Sequence, residues 1–168
     1  MNGWSGKTTD LKQYLVKNLD FDVLSLCESF LTDKNVINID GYTWFGTNRL
    51  SIDKRATRGS GGVGFLIKNN ICNHFQIEKL DSSSEGILWL KLKNKENEHE
   101  EIMICSCYCP PPSSSKGSLS QEFFDALLTN VCMFYDVNCP CIIMLELVTY
   151  KTLILALMIL KSVYVLTM

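Results

Sequence analysis

Hydrophobic positions in this chain fall into short runs separated by polar and glycine-rich stretches, and most of the runs have strand character. Val23-Leu24-Ser25-Leu26-Cys27 is apolar apart from one serine, which predicts an inward-facing strand over 23–27 that delivers a carboxylate, Glu28, at its end. Ile39 to Phe45 predicts a turn and a short aromatic strand, and Gly62 to Lys68 a strand entered through glycines. Gly86 to Leu92 and Glu101 to Tyr108 are two further β-prone runs, with the charged Asn94 to Glu100 between them as a solvated hairpin turn. Helical spacing occurs twice. Leu11, Tyr14 and Leu15 behind Thr8, Thr9 and Asp10 predict a short helix over about Asp10 to Asn18. Phe124, Leu127, Leu128, Val131 and Tyr135 predict the face of a second helix, starting at Ser118 with Gln121 completing a capping box. Strands and helices mixed in this way predict an α/β fold with mixed sheets covered by helices.

Two polar side chains sit where strands end. Pro110, Pro111 and Pro112 cannot continue a central ladder, so the strand stops and Tyr108 is held near its last paired position, its hydroxyl free to face a site at the sheet's end. Glu28 has two readings. Either the strand stops at Cys27 and the acid is the first solvated residue of a loop, or the acid is held at the sheet end toward a partner or a metal.

With 168 residues, 46% of them hydrophobic, the chain suits one domain that buries roughly two-thirds of its unfolded surface. The formal net charge of -2 gives no global field to gather nucleic acid. A local one exists: Arg49, Lys54, Arg55 and Arg58 surround a single Asp53 in a stretch without apolar periodicity. This basic loop suits a phosphate backbone, or is simply solvated. Eight cysteines and a polar start predict reduced thiols in an intracellular protein. Cys105, Cys107 and Cys109 recur at every second residue and share one strand face, a spacing for packing rather than for zinc. Gly6-Lys7-Thr8 lacks the upstream glycine of a phosphate loop, and Gly59 to Gly64 precedes a strand rather than a helix, against the dinucleotide-binding order. His74 and His99 have no acid or nucleophile in a readable relation to them and read as structural or solvated.

A resemblance runs through these stretches. Asn2-Gly3-Trp4-Ser5-Gly6-Lys7, Leu26-Cys27-Glu28-Ser29-Phe30-Leu31, Gly41-Tyr42 with Asn48-Arg49, Arg58 to Gly64, Ser84-Glu85-Gly86-Ile87, Tyr108-Cys109-Pro110-Pro111 and Phe123 to Leu127 stand in this order. That order resembles the endonuclease/exonuclease/phosphatase superfamily, and among its branches the apurinic-endonuclease-like domain of LINE-type (non-LTR) retrotransposons. The resemblance implies an incomplete four-layered α/β sandwich that hydrolyses DNA phosphodiesters with Mg²⁺ or Mn²⁺ and no small-molecule cofactor, nuclear if it is a working retroelement product. Position by position, Asn2 matches the family's amide near metal and phosphate, Glu28 its metal-binding glutamate, and Tyr108 the tyrosine that touches the scissile phosphate.

The departures are equally specific. After Cys141-Ile142-Ile143-Met144 the family carries Gly-Asp-Phe-Asn; here Leu145-Glu146-Leu147-Val148 stands in its place. Glu146 mimics the acid that activates water at a cost in reach, whereas Val148 donates nothing. The family's final aspartate and histidine have no counterpart, so the resemblance predicts a fragment with little or no activity by itself. Residues 149–168 look unlike the family, which divides the chain into a truncated domain over 1–148 and a hydrophobic tail. Thr152 to Leu160 is nine residues without a charge, short of the roughly 18–20 needed to span a membrane. The preferred reading is a departure of the reading frame near Met144. The alternative is a non-catalytic remnant that binds nucleic acid weakly or attaches to a membrane through this tail, with Lys161 snorkelling.

Overall fold

In the computed structural model the described residues are 14, 18, 21–32, 35–48, 61–111, 120–134, 136, 139–148 and 153–159. Two sheets face each other. The first has the order β1-β3-β2, built from β1 (Val23–Cys27), β2 (Tyr42–Thr47) and β3 (Val63–Lys68), all antiparallel. The second contains β4 (Phe75–Asp81), β5 (Ile87–Asn94), β6 (Glu101–Cys109), β7 (Cys141–Val148) and β8 (Leu153–Ile159), in sequential order. Its pairs are antiparallel except β6 with β7, which run parallel because α2 (Ser120–Phe134) carries the chain between them.

The alternation of β3 explains the layering. Val63, Phe65 and Ile67 face the second sheet and pack against Leu88, Leu90 and Leu92 of β5 and Ile104 and Tyr108 of β6. Leu66 points the other way, onto Leu31, Ile37 and Ile39, which cover the outer side of the first sheet. Buried on both faces, the strand must be nearly all apolar, as its sequence is. On the far side of the second sheet Ile87, Trp89, Cys105, Cys107, Cys109 and Cys141 lie beneath α2. The alternating cysteines therefore act as small apolar packers, and burial raises the thiols of Cys105, Cys109 and Cys141 above their ordinary range.

Strands β1, β3, β5 and β6 and the charged β5–β6 turn stand where the sequence places them, and the aromatic strand runs slightly later, over Tyr42–Thr47. The helix face is a correction. Phe123 and Leu127, with Asn130, are the buried residues of α2, while Phe124 and Leu128 are 41% and 63% exposed. The buried face is thus shifted from the expected stripe, and Tyr135 and Ser118 lie outside the described residues. A short helix, α1 (Asn69–His74), and β4 had no counterpart in the sequence reading. Of the helix expected over 10–18, Tyr14 and Asn18 are described and helical, and the Asn18 amide donates to the Tyr14 carbonyl at 2.7 Å. In the segment taken for a foreign tail, the backbone of Leu153–Ile159 pairs antiparallel with β7 as an edge strand. Among the described residues no helix is long and apolar enough to cross a membrane.

Candidate functional site at the end of β1, β6 and β7

Registers bring the candidate residues together. Tyr108 is directly opposite Glu146 in the parallel β6–β7 ladder, so both side chains leave the second sheet on the same side. That side faces the first sheet, where β1 ends. Tyr108 Oη donates to Glu28 Oε1 at 2.7 Å across the gap between the sheets. One turn inward, the hydroxyls of Ser25 and Ser106 share a hydrogen bond at 2.7 Å. The Cys27 thiol lies between these levels, bonded to the Glu146 carboxylate and 3.9 Å from the Cys107 carbonyl oxygen. A cleft of about 190 Å³ opens beside this seam between β1 and β7, with Ser25, Cys27, Met144 and Glu146 in its wall.

Glu28 is not a residue left over at the strand's end. The β1–β3 ladder pairs Leu26 with Gly64 and Cys27 with Val63, and the same register would next set Ser29 opposite Gly61. Instead Ser29 N–H donates to Gly62 O at 3.1 Å and Phe30 N–H to Gly61 O at 2.9 Å. Pairing resumes one residue out of step, and Glu28 is the extra residue of a bulge. Its φ of 51° and the 55° of Phe30 are left-handed, a conformation that non-glycine residues hold at a cost of about 1–3 kcal/mol each. Bulges redirect a side chain and are frequent beside active sites. Here the redirection aims the carboxylate at Tyr108.

The electrostatics follow from crowding. Burial, then the hydrogen bond to Glu28 and its charge, push the Tyr108 phenol well above its ordinary range. Burial raises the Glu146 carboxyl and the nearby charge of Glu28 raises it further, while the Cys27 thiol donating to it works in the opposite direction. The Cys27 thiol is raised steeply by burial and by Glu146, which keeps it protonated. Two acids and a phenol thus share one rim. Such a group can hold a proton on Glu146 more readily than an exposed acid does, and can offer hard oxygen ligands to a cation.

Of the residues predicted for the site, Glu28, Tyr108 and Glu146 converge. Asn2 and the cationic Arg49, Lys54, Arg55 and Arg58 lie outside the described residues. His74 instead bonds the Asn70 carbonyl of its own helix through Nδ1 at 2.8 Å, and His99 is exposed in the β5–β6 turn. The sequence reading missed Cys27, Ser25 and Ser106 as the polar seam; the alternation of β1 around Ser25 was the available signal.

The matching solved structures include the human Nocturnin catalytic domain with bound sulfate anion, at a TM-score of 0.54 and 13% identity, over 81% of this chain. The chain has the DNase I-like fold of the endonuclease/exonuclease/phosphatase superfamily. It spans 54% of the length of that neighbour. No family model and no curated protein matches the sequence. On this fold, Leu145-Glu146-Leu147-Val148 lie within β7 and remain paired, Leu147 with Cys109 and Val148 with Leu153. The segment that stands in for Gly-Asp-Phe-Asn continues a strand instead of turning.

Proposed function

We propose that this chain is part of a divalent-cation-dependent phosphodiester hydrolase acting on DNA, of the kind found in LINE-type retrotransposons, with low turnover by itself. The observation that carries the reading is the 2.7 Å bond from Tyr108 Oη to Glu28 Oε1 with Glu146 in register beside it. Phosphodiester hydrolysis needs charge neutralised on the phosphate oxygens and a proton removed from water. The donor set fits a hard cation: Glu28 and Glu146 supply carboxylate oxygens, and Mg²⁺ commonly takes one or two carboxylates and keeps its remaining waters. Among the described residues no three His, Cys, Asp or Glu side chains form a complete cage. When bound, such a cation supplies positive charge at the phosphate.

The protein's own groups then divide the work. Glu28 presents its carboxylate at the rim, and Tyr108 donates from its hydroxyl to whichever oxygen, carboxylate or phosphate, lies closest. Glu146, whose affinity for a proton is raised, is the group suited to accept one from water. Asn2 and the basic loop of Arg49, Lys54, Arg55 and Arg58 serve in this reading as the amide near the phosphate and as contacts to the DNA backbone.

A supercoiled-plasmid nicking assay tests it. Slow nicking that requires Mg²⁺ and disappears in Glu28→Gln supports the reading. Nicking that Glu28→Gln leaves unchanged sinks it. A second reading, a non-catalytic remnant that binds nucleic acid weakly, is favoured by the continuation of β7 through Val148, which leaves no loop for a phosphate-holding amide. DNA binding with no cation dependence and no nicking separates that reading from the first.

A further inference from the structure

The strained bulge that carries Glu28 needs something to hold it, and the structure places a specific contact there. Gly62 has φ +86°, and a Cβ built on it would lie 2.5 Å from Ser29 Oγ and 3.3 Å from the Thr47 carbonyl oxygen. Ser29 is fully buried, and its Oγ has no hydrogen-bond partner. Asn48 Oδ1, 3.6 Å from the same point, is likewise buried without a partner, although the Asn48 amide donates to the Thr32 carbonyl at 2.9 Å. Ser29 is therefore not kept inside by hydrogen bonding. It is kept by fit: its side chain fills the space above the bare Cα of Gly62 while its backbone N–H holds the Gly62 carbonyl.

We propose that Ser29 and Gly62 form a clamp that positions Glu28, and that the missing side chain at 62 is what lets the bulge close. Neither residue touches a reacting atom; both act through the carboxylate they aim. Any side chain at 62 meets Ser29 Oγ and pushes the 28–30 segment away from β3. The Glu28 carboxylate then leaves Tyr108. The proposal rests on the reading of Glu28 as the cation-facing acid, but its geometric part stands without a cation.

The test is a set of four proteins: wild type, Gly62→Ala, Ser29→Ala/Gly62→Ala, and Gly46→Ala as a control. Gly46 lies in the same sheet, and a Cβ there would meet the Trp44 ring at 2.3 Å, so the control introduces comparable crowding away from Glu28. One readout is the tyrosine Raman doublet, which reports whether a phenol donates a hydrogen bond, taken as the difference from Tyr108→Phe in each background. The other is Mn²⁺ affinity by titration calorimetry.

Gly62→Ala is expected to lose the donor signature of Tyr108 and to weaken Mn²⁺ at least tenfold. The double variant is expected to recover part of both, because the collision is gone while the left-handed backbone at 62 still disfavours alanine. Gly46→Ala keeps the signature and the affinity whatever it does to the melting temperature. Retention of the Tyr108 signature in Gly62→Ala, or its equal loss in Gly46→Ala, overturns the clamp. Absence of Mn²⁺ binding by wild type, with the Raman pattern as expected, overturns the functional reading and leaves the clamp in place.

Discussion

Replacing Tyr108 by phenylalanine removes one hydroxyl and nothing else from the seam between the sheets. The ring stays packed against β3 and β5 in the inner core. What is lost is a 2.7 Å hydrogen bond to a carboxylate, and bonds to charged groups contribute about 1.5–3 kcal/mol net. Glu28 is half-buried rather than sealed, so water replaces the phenol in the variant and the loss falls near the lower end, about 1.5 kcal/mol. For a chain of this size that lowers Tm by about 3–6 °C. The single substitution does not isolate the bond, so the assay is a double-mutant cycle with Glu28→Ala, read by chemical denaturation. The coupling expected between the two positions is about 1–2 kcal/mol. A coupling below about 0.5 kcal/mol, the usual error of additivity, would refute the claim that these residues act as one unit.

Three further outcomes follow from the same geometry. Glu146 has a raised carboxyl, so the fold binds its proton more tightly than the unfolded chain does, and stability falls as pH rises from the ordinary glutamate range toward the folded value. Glu146→Gln is therefore expected to raise Tm at pH 7.5 and to give no gain near pH 4, by differential scanning fluorimetry. At Asp81, burial pushes the carboxyl up but hydrogen bonds from Ser83 and Asn130 outweigh it and hold it below its ordinary value. Asn130→Ala breaks the 2.9 Å bond to Asp81 Oδ2; it is expected to cost about 1–3 kcal/mol at pH 7, with the difference shrinking as acid protonates Asp81. Trp89 is fully buried and meets Phe134 edge-on at 5.5 Å between ring centres, so Trp89→Ala is expected to cost about 3–5 kcal/mol in urea melts.

The parts of the fold legible in the sequence are those where one physical constraint acts alone. β3 is buried on both faces and reads as an unbroken apolar run; β5 and β6 are separated by charges that only a turn in water accommodates. α2 was misread because Phe123-Phe124 and Leu127-Leu128 are apolar doublets that satisfy two neighbouring helix faces equally. The choice between them is made by Asp81, on a different strand, whose carboxylate draws Asn130 inward. β4 was missed because its register shifts between Lys79 and Asp81, so Phe75 and Ile77 face one core while Leu80 faces the other, and the period of two is lost. At the site, Glu28 and Tyr108 were found because a strand end and a proline stop mark them. The bulge behind Glu28 was not, since a left-handed glutamate has no signature in the sequence, and its complement Gly62 lies 34 residues away.

The central claim is that Glu28, with Tyr108 and Glu146 around it, is the acid of a divalent-cation site. Calorimetric titration of Mn²⁺ into the wild-type chain and into Glu28→Gln tests it most directly. The account predicts one saturable cation in the wild type, and its loss or at least a tenfold weakening in Glu28→Gln. Equal binding by both proteins would contradict it.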